Sequence, residues 1–380
     1  MPSIRSNLDN YRRCTIPFLK LVKAGLWERD IDLSIQEEAQ ITNLILLSEE
    51  QAIVGLIAAG IDHLRNTQIK KDVILSCVGK TLQLEQNNRN MNDYLAKLQV
   101  MLSNKGINAI LLKGQGVAQC YEKPLWRACG DIDLLLDGPN YFQAKSLLIP
   151  LATEIDIEYP EDLHLGISID GWRVELHGSL RGLLLKRIDR TLDSIQKDVF
   201  SKNQFRLWDN GKIGIKLLSP DDDVFYVFSH ILEHFFYGGV GLRQICDWCR
   251  LLWVYKDSLN HSLLKSRLRG SGIMTEWKAF ASLAVVYLGM PVAAIPFYSS
   301  DFKWTQKGKR VMALIMEAGN FGQNRDISYF KKYPYLVRKT ISLWRHSSDC
   351  LKRLLIFPKD TVLIWGRIIS NGVVNTLKGK

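Results

Sequence analysis

No disulfide framework can be drawn for this chain. Its seven cysteines (Cys14, Cys77, Cys120, Cys129, Cys246, Cys249 and Cys350) are odd in number and scattered, unlike the pairs that staple small secreted domains. A secretory leader is not expected either. In MPSIRSNLDNYRRCTIPFLKLVKAGLW, Lys20 and Lys23 interrupt any apolar core and no small-residue cleavage site follows. Long uninterrupted apolar runs are missing. The longest stretch, Ala279 to Tyr298, contains Gly289, Pro291 and Pro296, which divide it into a buried helix of about ten residues and a loop rather than a membrane span. Internal repeats, low-complexity tracts, and the G-x-x-x-x-G-K-[ST] and G-x-G-x-x-G phosphate motifs are also absent. The expected location is a reducing cytoplasm.

What the chain does contain is ordinary globular composition: 380 residues, 47% hydrophobic and 23% charged. That argues against a disordered, collagen-like or coiled-coil protein, and the length suits two or three domains. Charge is unevenly placed. The net charge is +11, and residues 301–380 alone hold 16 Lys/Arg against 5 Asp/Glu, while residues 1–300 balance at 34 of each.

The patterning predicts four parts: a helical N-terminal region (1–104), a compact α/β core (105–182), a helical domain (183–300) and a basic helical C-terminal region (301–380). In the first part, Ser48 and Gln51 read as an S-x-x-Q capping box ahead of a helix from Glu49 to about Leu64. An Asn-rich stretch leads into a helix from Asn90 to Ser103, with Leu95, Leu98 and Leu102 on one face. In the core, Ile107–Leu112 reads as a buried strand followed by a short helix, Gly116–Tyr121. Asp131–Leu136 is a second strand, and Asp137-Gly138-Pro139 opens another helix. His164–Ile169 and Trp172–His177 form a hairpin across Asp170-Gly171. The expected fold is α/β (α+β), a small mixed sheet flanked by helical segments. Asp221–Asp223 after Pro220 read as a helix N-terminus, where acids favour the dipole.

Polar chemistry concentrates in the core. Asp131 and Asp133 stand at i and i+2 on a strand, so both carboxylates point to one side while Ile132 and Leu134 point to the other. Like charges this close repel unless a cation sits between them. A divalent ion such as Mg²⁺, which prefers carboxylate oxygens, answers that need; the alternative is a solvated edge strand. In WRVELHG, Arg173, Glu175 and His177 share a face, and Glu175 is the only acid there. It is either a third ligand or a solvated strand residue. Upstream, Lys113-Gly114-Gln115-Gly116 follows a strand and opens a helix, a geometry that suits phosphate. Arg127 reaches the phosphates or an acid, or else braces its loop with a salt bridge.

Leu111, Leu112, Lys113, Gly114, Tyr121, Pro124, Arg127, Gly130, Asp131, Ile132 and Asp133 spell LLKG followed by Y-x-x-P-x-x-R-x-x-G-D-I-D. This run resembles the nucleotidyltransferase superfamily related to polymerase beta, and within it an uncharacterised bacterial branch. The resemblance is strongest over 105–180. It implies transfer of a nucleoside monophosphate from an NTP donor to an acceptor, with Mg²⁺ (or Mn²⁺) held by Asp131, Asp133 and the third carboxylate, Glu175. It places Gly114 and Gln115 at the nucleotide's triphosphate, beside Lys113 and Arg127, whose charges are read from the sequence itself as available to the phosphates. Gln115 stands where the superfamily has Ser, and Asp131 lies 17 positions beyond Gly114, longer than the usual gap. The acceptor is left open: a saccharide, another small molecule, tRNA or protein. Two alternatives stay beside this reading: a toxin-like enzyme that nucleotidylates tRNA or protein, and a non-catalytic nucleotide-binding or membrane-associated adaptor.

Outside the core, Cys246-x-x-Cys249 reads as packed thiols on a helix. His230 and His234, at i and i+4, read as a satisfied pair, an acceptor-pocket lining or a metal site. From Lys331 to Lys380, Lys and Arg mix with Tyr333, Tyr335, Trp344, Phe357 and Trp365. That pattern suits a solvated cationic face, a nucleic-acid contact or peripheral contact with the inner membrane surface.

Overall fold

The computed structural model describes residues 4–33, 38–65, 71–158, 163–182, 184–322, 324 and 333–377. Lys331, Lys332 and residues 378–380 of the basic stretch lie outside them. The helices before the sheet are α1 (Ile4–Trp27), α2 (Glu38–Glu50), α3 (Val54–Asp62) and α4 (Lys71–Ser103), with a parallel bridge between β1 (Ile31–Asp32) and β2 (Leu64–Arg65). Then come β3 (Ala109–Leu112), α5 (Gly114–Ala118), β4 (Asp131–Leu136), α6 (Gly138–Leu148), β5 (Glu154–Ile155), β6 (His164–Ile169), β7 (Trp172–His177), α7 (Lys186–Ser201), β8 (Phe205–Asp209) and β9 (Gly214–Leu218). Helices α8 (Pro220–Tyr237), α9 (Leu242–Tyr255), α10 (His261–Gly270), α11 (Met274–Leu288) and α12 (Phe302–Ala318) follow, and two helices, Tyr335–Leu354 and Pro358–Leu377, end the chain. The fold is mixed α/β.

Seven strands form one sheet in the order β5-β6-β7-β4-β3-β9-β8; β4 runs parallel to β7 and β3 parallel to β9, and the other neighbours are antiparallel. Local chemistry sets several of its turns. Asp170 and Gly171 both take positive φ, 51° and 79°, the backbone of a tight two-residue hairpin whose twist matches the strands. The Asp137 side chain accepts from the Asn140 amide at 2.9 Å, capping α6. The sheet does not end at residue 182. Strands β8 and β9, in a stretch whose pattern reads as helical, continue it. Asn210 and Gly211 (φ 81°) sit in the connection between them, a turn pair as strong as Asp170-Gly171.

Two other local readings change. Helix α2 already runs through Ser48, whose hydroxyl donates to the Ile45 carbonyl at 2.6 Å, and the Gln51 side chain instead accepts from the Leu242 amide at 2.9 Å. The capping motif therefore serves the start of a distant helix, α9. The helix ending at Ser103 begins at Lys71 and is 33 residues long. It absorbs the Asn-rich stretch because Asn88, fully buried, donates to the carbonyls of Leu125 and Arg127 at 2.7 and 2.9 Å, so its burial leaves no donor unpaired.

One sheet face packs on α4 and α6, burying Ile132, Leu134 and Leu136 with Leu95, Leu98, Leu102 and Tyr141. The other, with Ile110, Leu112 and Leu135, packs on the helical half. There α8, α9 and α11 are tied by Phe228, Trp248 and Trp277, whose ring centroids lie 4.8–5.1 Å apart. This cluster holds α8 against the sheet. Among the described residues no helix is long and apolar enough to cross a membrane.

Glu276 on α11 is buried, and burial followed by the nearby Asp360 pushes its carboxyl up to about 7 despite Arg187 and Lys307. An acid with a raised folded-state pKa binds its proton more tightly when folded. Its stabilising effect is complete below the ordinary glutamate range and fades as pH rises through about 7. Urea unfolding should thus show wild-type stability falling between pH 4.5 and 8 by on the order of 3 kcal/mol from this group. Glu276→Gln should remove that component of the slope; an unchanged slope would contradict it.

Candidate active site

Strand register assembles the site. Asp133 lies opposite Leu112 of β3 and opposite Glu175 of β7. Directly opposed residues project to one face, and Asp131, two residues before Asp133, shares it. Carboxylate oxygens of Asp131, Asp133 and Glu175 all lie within 4.8 Å of one another. This is the face toward α8, since the intervening Ile132 and Leu134 belong to the opposite core. Asp133 is only 2% exposed; Asp131 and Glu175 are half-buried.

Cations and imidazoles balance these acids unequally. Lys113 Nζ is 3.4 Å and His177 Nε2 2.9 Å from the same Asp133 oxygen. Burial alone would push Asp133 up, but Lys113 and the His177 hydrogen bond hold it well below the usual carboxylate range. Asp131 moves the other way: burial and the charge of Asp133 raise it, and Lys113 offsets this only in part. For Glu175, burial and the Asp133 charge push up, but the hydrogen bond from His164 at 3.1 Å together with the nearby His177 and His164 rings outweighs them, and its carboxyl sits low. The same bond raises His164. Burial works against the Lys113 charge, yet Asp133 together with Tyr226, Asp131 and Glu175 more than compensates, and the ammonium is held firmly protonated.

His164 and His177 are opposed in the β6·β7 hairpin, with rings stacked at 4.6 Å. His164, Glu175 and His177 form a second set of donors within 4.8 Å of each other. The sequence reading named His177 but missed His164. The two-residue turn pairs Ile169 with Trp172 and so counts back to His164 opposite His177; that count was the available signal.

A cavity of about 420 Å³ opens over the acids, with Lys113, Asp131 and Glu175 on the sheet side and Tyr226, His230 and Glu233 on α8. His230 Nε2 approaches Lys113 Nζ at 3.3 Å and His234 Nε2 at 2.9 Å. Burial and then Lys113 lower His230, and burial and then His230 bring His234 down to about 3. Both imidazoles are therefore neutral at pH 7. Of the roles open to this pair, the structure places it on the cavity wall.

The turn after β3 is tight. Lys113 and Gly114 both take positive φ, 47° and 43°, and a Cβ on Gly114 would lie 3.3 Å from Cys129 Sγ. Gly114 lines a small cavity of about 40 Å³ with Asp131, Asp133 and Arg127. Gln115 does not join them: its buried amide donates to Asn88 Oδ1 at 2.7 Å on α4. Arg127 makes a two-pronged ion pair with Asp247, at 3.1 and 2.6 Å, and Tyr121 donates to the same carboxylate at 2.7 Å. Of the two roles open to Arg127, bracing is the one these contacts supply, while its Nη1 has no hydrogen-bond partner. Cys246 and Cys249 are buried in α9, with thiols pushed up by burial.

A family model described as "Uncharacterised nucleotidyltransferase" matches residues 37–289. The chain belongs to this family. No curated protein matches it significantly. Among solved structures, an antigenic nucleotidyltransferase-like protein from Paracoccidioides brasiliensis is similar at 14% identity. That likeness covers 56% of this chain and 94% of the other, with a TM-score of 0.33, too low to carry fold or function across. The family match takes in Lys113, the three acids and the α8 wall, and stops before residues 301–380.

Members of a nucleotidyltransferase family are expected to use divalent ions, and the donors here suit one. Three carboxylates at mutual ligand spacing offer hard oxygens, and the Asp131 carboxylate makes no ion pair among the described residues. The Arg127–Asp247 pair ties the loop before β4 to α9 and so keeps Asp131 in place. Removing one partner strands a buried charge. Arg127→Leu should destabilise the chain by about 3–5 kcal/mol in urea unfolding, and Arg127→Leu/Asp247→Leu should recover most of that loss. Equal losses in the single and double variants would show that the pair is not the brace.

Proposed function

We propose that this chain transfers a nucleoside monophosphate from an NTP to an acceptor, using a divalent ion, Mg²⁺ or Mn²⁺, held by Asp131, Asp133 and Glu175. The observation that carries the reading is the three-carboxylate face beside Lys113 at the floor of a cavity, in a chain of this family. The LLKG and GDID spacing supports placement in the bacterial branch of the polymerase-beta-like superfamily. A bound divalent ion supplies charge neutralisation at the phosphates and the departing pyrophosphate.

The chain's own residues do the rest. Lys113, held charged next to Asp133, pairs with a phosphate oxygen, and Gly114 lets the phosphates approach the backbone closely. Arg127 acts here by fixing the loop that carries Asp131. The neutral His230–His234 pair on α8 forms the wall against which the acceptor's hydroxyl lies, and the hydroxyl proton passes to solvent water as its oxygen attacks the α-phosphorus. The new O–P bond forms as the bond to pyrophosphate breaks. The acceptor enters from the α8 side of the cavity.

Calorimetry with each of the four NTPs in Mg²⁺, Mn²⁺ or EDTA tests the reading. Wild type should bind at least one NTP only with metal, and Asp131→Asn/Asp133→Asn should weaken that binding at least tenfold. Metal-independent binding, or binding equal in the variant, would overturn it. A second reading, nucleotide binding without turnover, draws on Lys113 and His177, which already compensate Asp133. Pyrophosphate release with candidate saccharide, small-molecule, tRNA and protein acceptors separates the two.

Imidazoles beside the carboxylates favour a softer ion than oxygen ligands alone. Mn²⁺ should bind more tightly than Mg²⁺, and His164→Ala/His177→Ala should weaken Mn²⁺ binding more than Mg²⁺ binding, read from the free Mn²⁺ signal in electron paramagnetic resonance. Equal losses for both ions would remove the histidines from the donor set.

A further inference from the structure

The C-terminal helix Tyr335–Leu354 carries an apolar stripe in solvent. Val337, Trp344, Leu351 and Leu355 are 42%, 72%, 65% and 70% exposed. They recur at seven, seven and four residues, which places all four on one face of a helix. Each of the first three is followed by a cation: Val337-Arg338, Trp344-Arg345 and Leu351-Lys352. These three cations lie along one flank of the stripe with Asp349 among them, and Lys352 is ion-paired with Glu317 of α12. The next helix adds Val362, Leu363 and Trp365, all exposed. The face is not a loosely placed segment, because Ile356, Phe357 and Ile364 are buried in the main core and Arg310 donates to the Leu355 carbonyl at 2.8 Å.

We propose that this face docks on the surface of an anionic lipid bilayer. Charge complementarity selects the partner: residues 301–380 hold all of the chain's net +11. A second copy of the same face would set these cations against each other. A nucleic-acid backbone would match the cations but leave Val337, Leu351 and Leu355 without an apolar partner. A bilayer interface satisfies both rows: aliphatic side chains enter the acyl boundary, Trp344 sits at headgroup depth, and Arg and Lys extend toward lipid phosphates. With no spanning helix among the described residues, the contact is peripheral. It lies beyond the family match and does not depend on the nucleotidyl-transfer reading.

Co-sedimentation of the full chain with vesicles tests it, comparing phosphatidylcholine alone with about 30 mol% phosphatidylserine added. Binding to the anionic vesicles should be at least tenfold stronger and should fall with salt. Trp344→Ser/Leu351→Ser should lose at least tenfold of it while keeping the thermal midpoint and NTP binding of wild type. Lys352→Gln should lower binding to a smaller degree and flatten the salt dependence. The proposal is overturned by equal binding to both vesicle types, by no binding to either, or by full binding in the Trp344→Ser/Leu351→Ser variant. Dimerisation that Trp344→Ser/Leu351→Ser abolishes, or RNA binding without vesicle binding, would also overturn it.

Discussion

Three carboxylates cannot share one sheet face as charged groups unless positive charge or hydrogen-bond donors meet them, and this requirement shapes everything around the site. Asp133 is the deepest and the best compensated, by Lys113 and His177 together. Glu175 is met by His164 and, at 3.7 Å, by Arg173. Asp131 receives the least, and its raised carboxyl shows the remaining imbalance. The side of the site facing the cavity is therefore where an added cation lowers the energy most. Lys113 can reach Asp133 because Leu112 and Asp133 are opposed in β3·β4, so the residue after Leu112 emerges beside the acid. Topology and compensation are one fact at this point.

The helical half does more than cover the sheet. Phe228 on α8 packs on Trp248 and Trp277 from two other helices, so the opposite edge of α8, with Tyr226, His230 and Glu233, is held at a set distance from the acids. Burial then decides protonation. The neutral His230 and His234 do not compete with Lys113 as cations, which leaves Lys113 as the charged group between the acids and α8. The Gln51 amide at the start of α9 and the Arg127–Asp247 pair fix the second wall by contacts that span long stretches of sequence.

The difference between what could and could not be read from sequence follows contact range. The hairpin at Asp170-Gly171, the shared face of Asp131 and Asp133, and the alternation that puts Glu175 with them all depend on neighbours within a few residues, and strand periodicity exposes them. The helix starts at Asp137 and at Asp221–Asp223 are equally local. The side-chain destination of Gln115 depends on Asn88, and that of Arg127 on Asp247, partners that no periodicity relates. Ser48 and Gln51 show the opposite failure: a local motif was present, but tertiary demand for an acceptor at the Leu242 amide claimed its glutamine. Asn210-Gly211 is a different case, since the signal was local and strong but sat in a region whose apolar spacing read as helical.

The placement of charge separates two tasks within one chain. The first 300 residues are balanced, and within them charge is used pairwise and at depth: Lys113 with Asp133, Arg127 with Asp247, Arg206 with Asp223, Arg267 with Asp222. Such pairs hold geometry and are screened little by salt. Beyond residue 300 the charge is in excess and runs along a helix flank, where it sets long-range attraction rather than local geometry. A buried, compensated arrangement suits positioning a small charged ligand; a net excess of cations on a helical surface suits capture of an extended anionic surface. The two regions meet through apolar anchors such as Phe357 against Phe235 and Phe236 and through the Arg187–Asp360 ion pair, whose carboxylate is buried, so salt can weaken the second task while leaving the acids and Lys113 of the first in place.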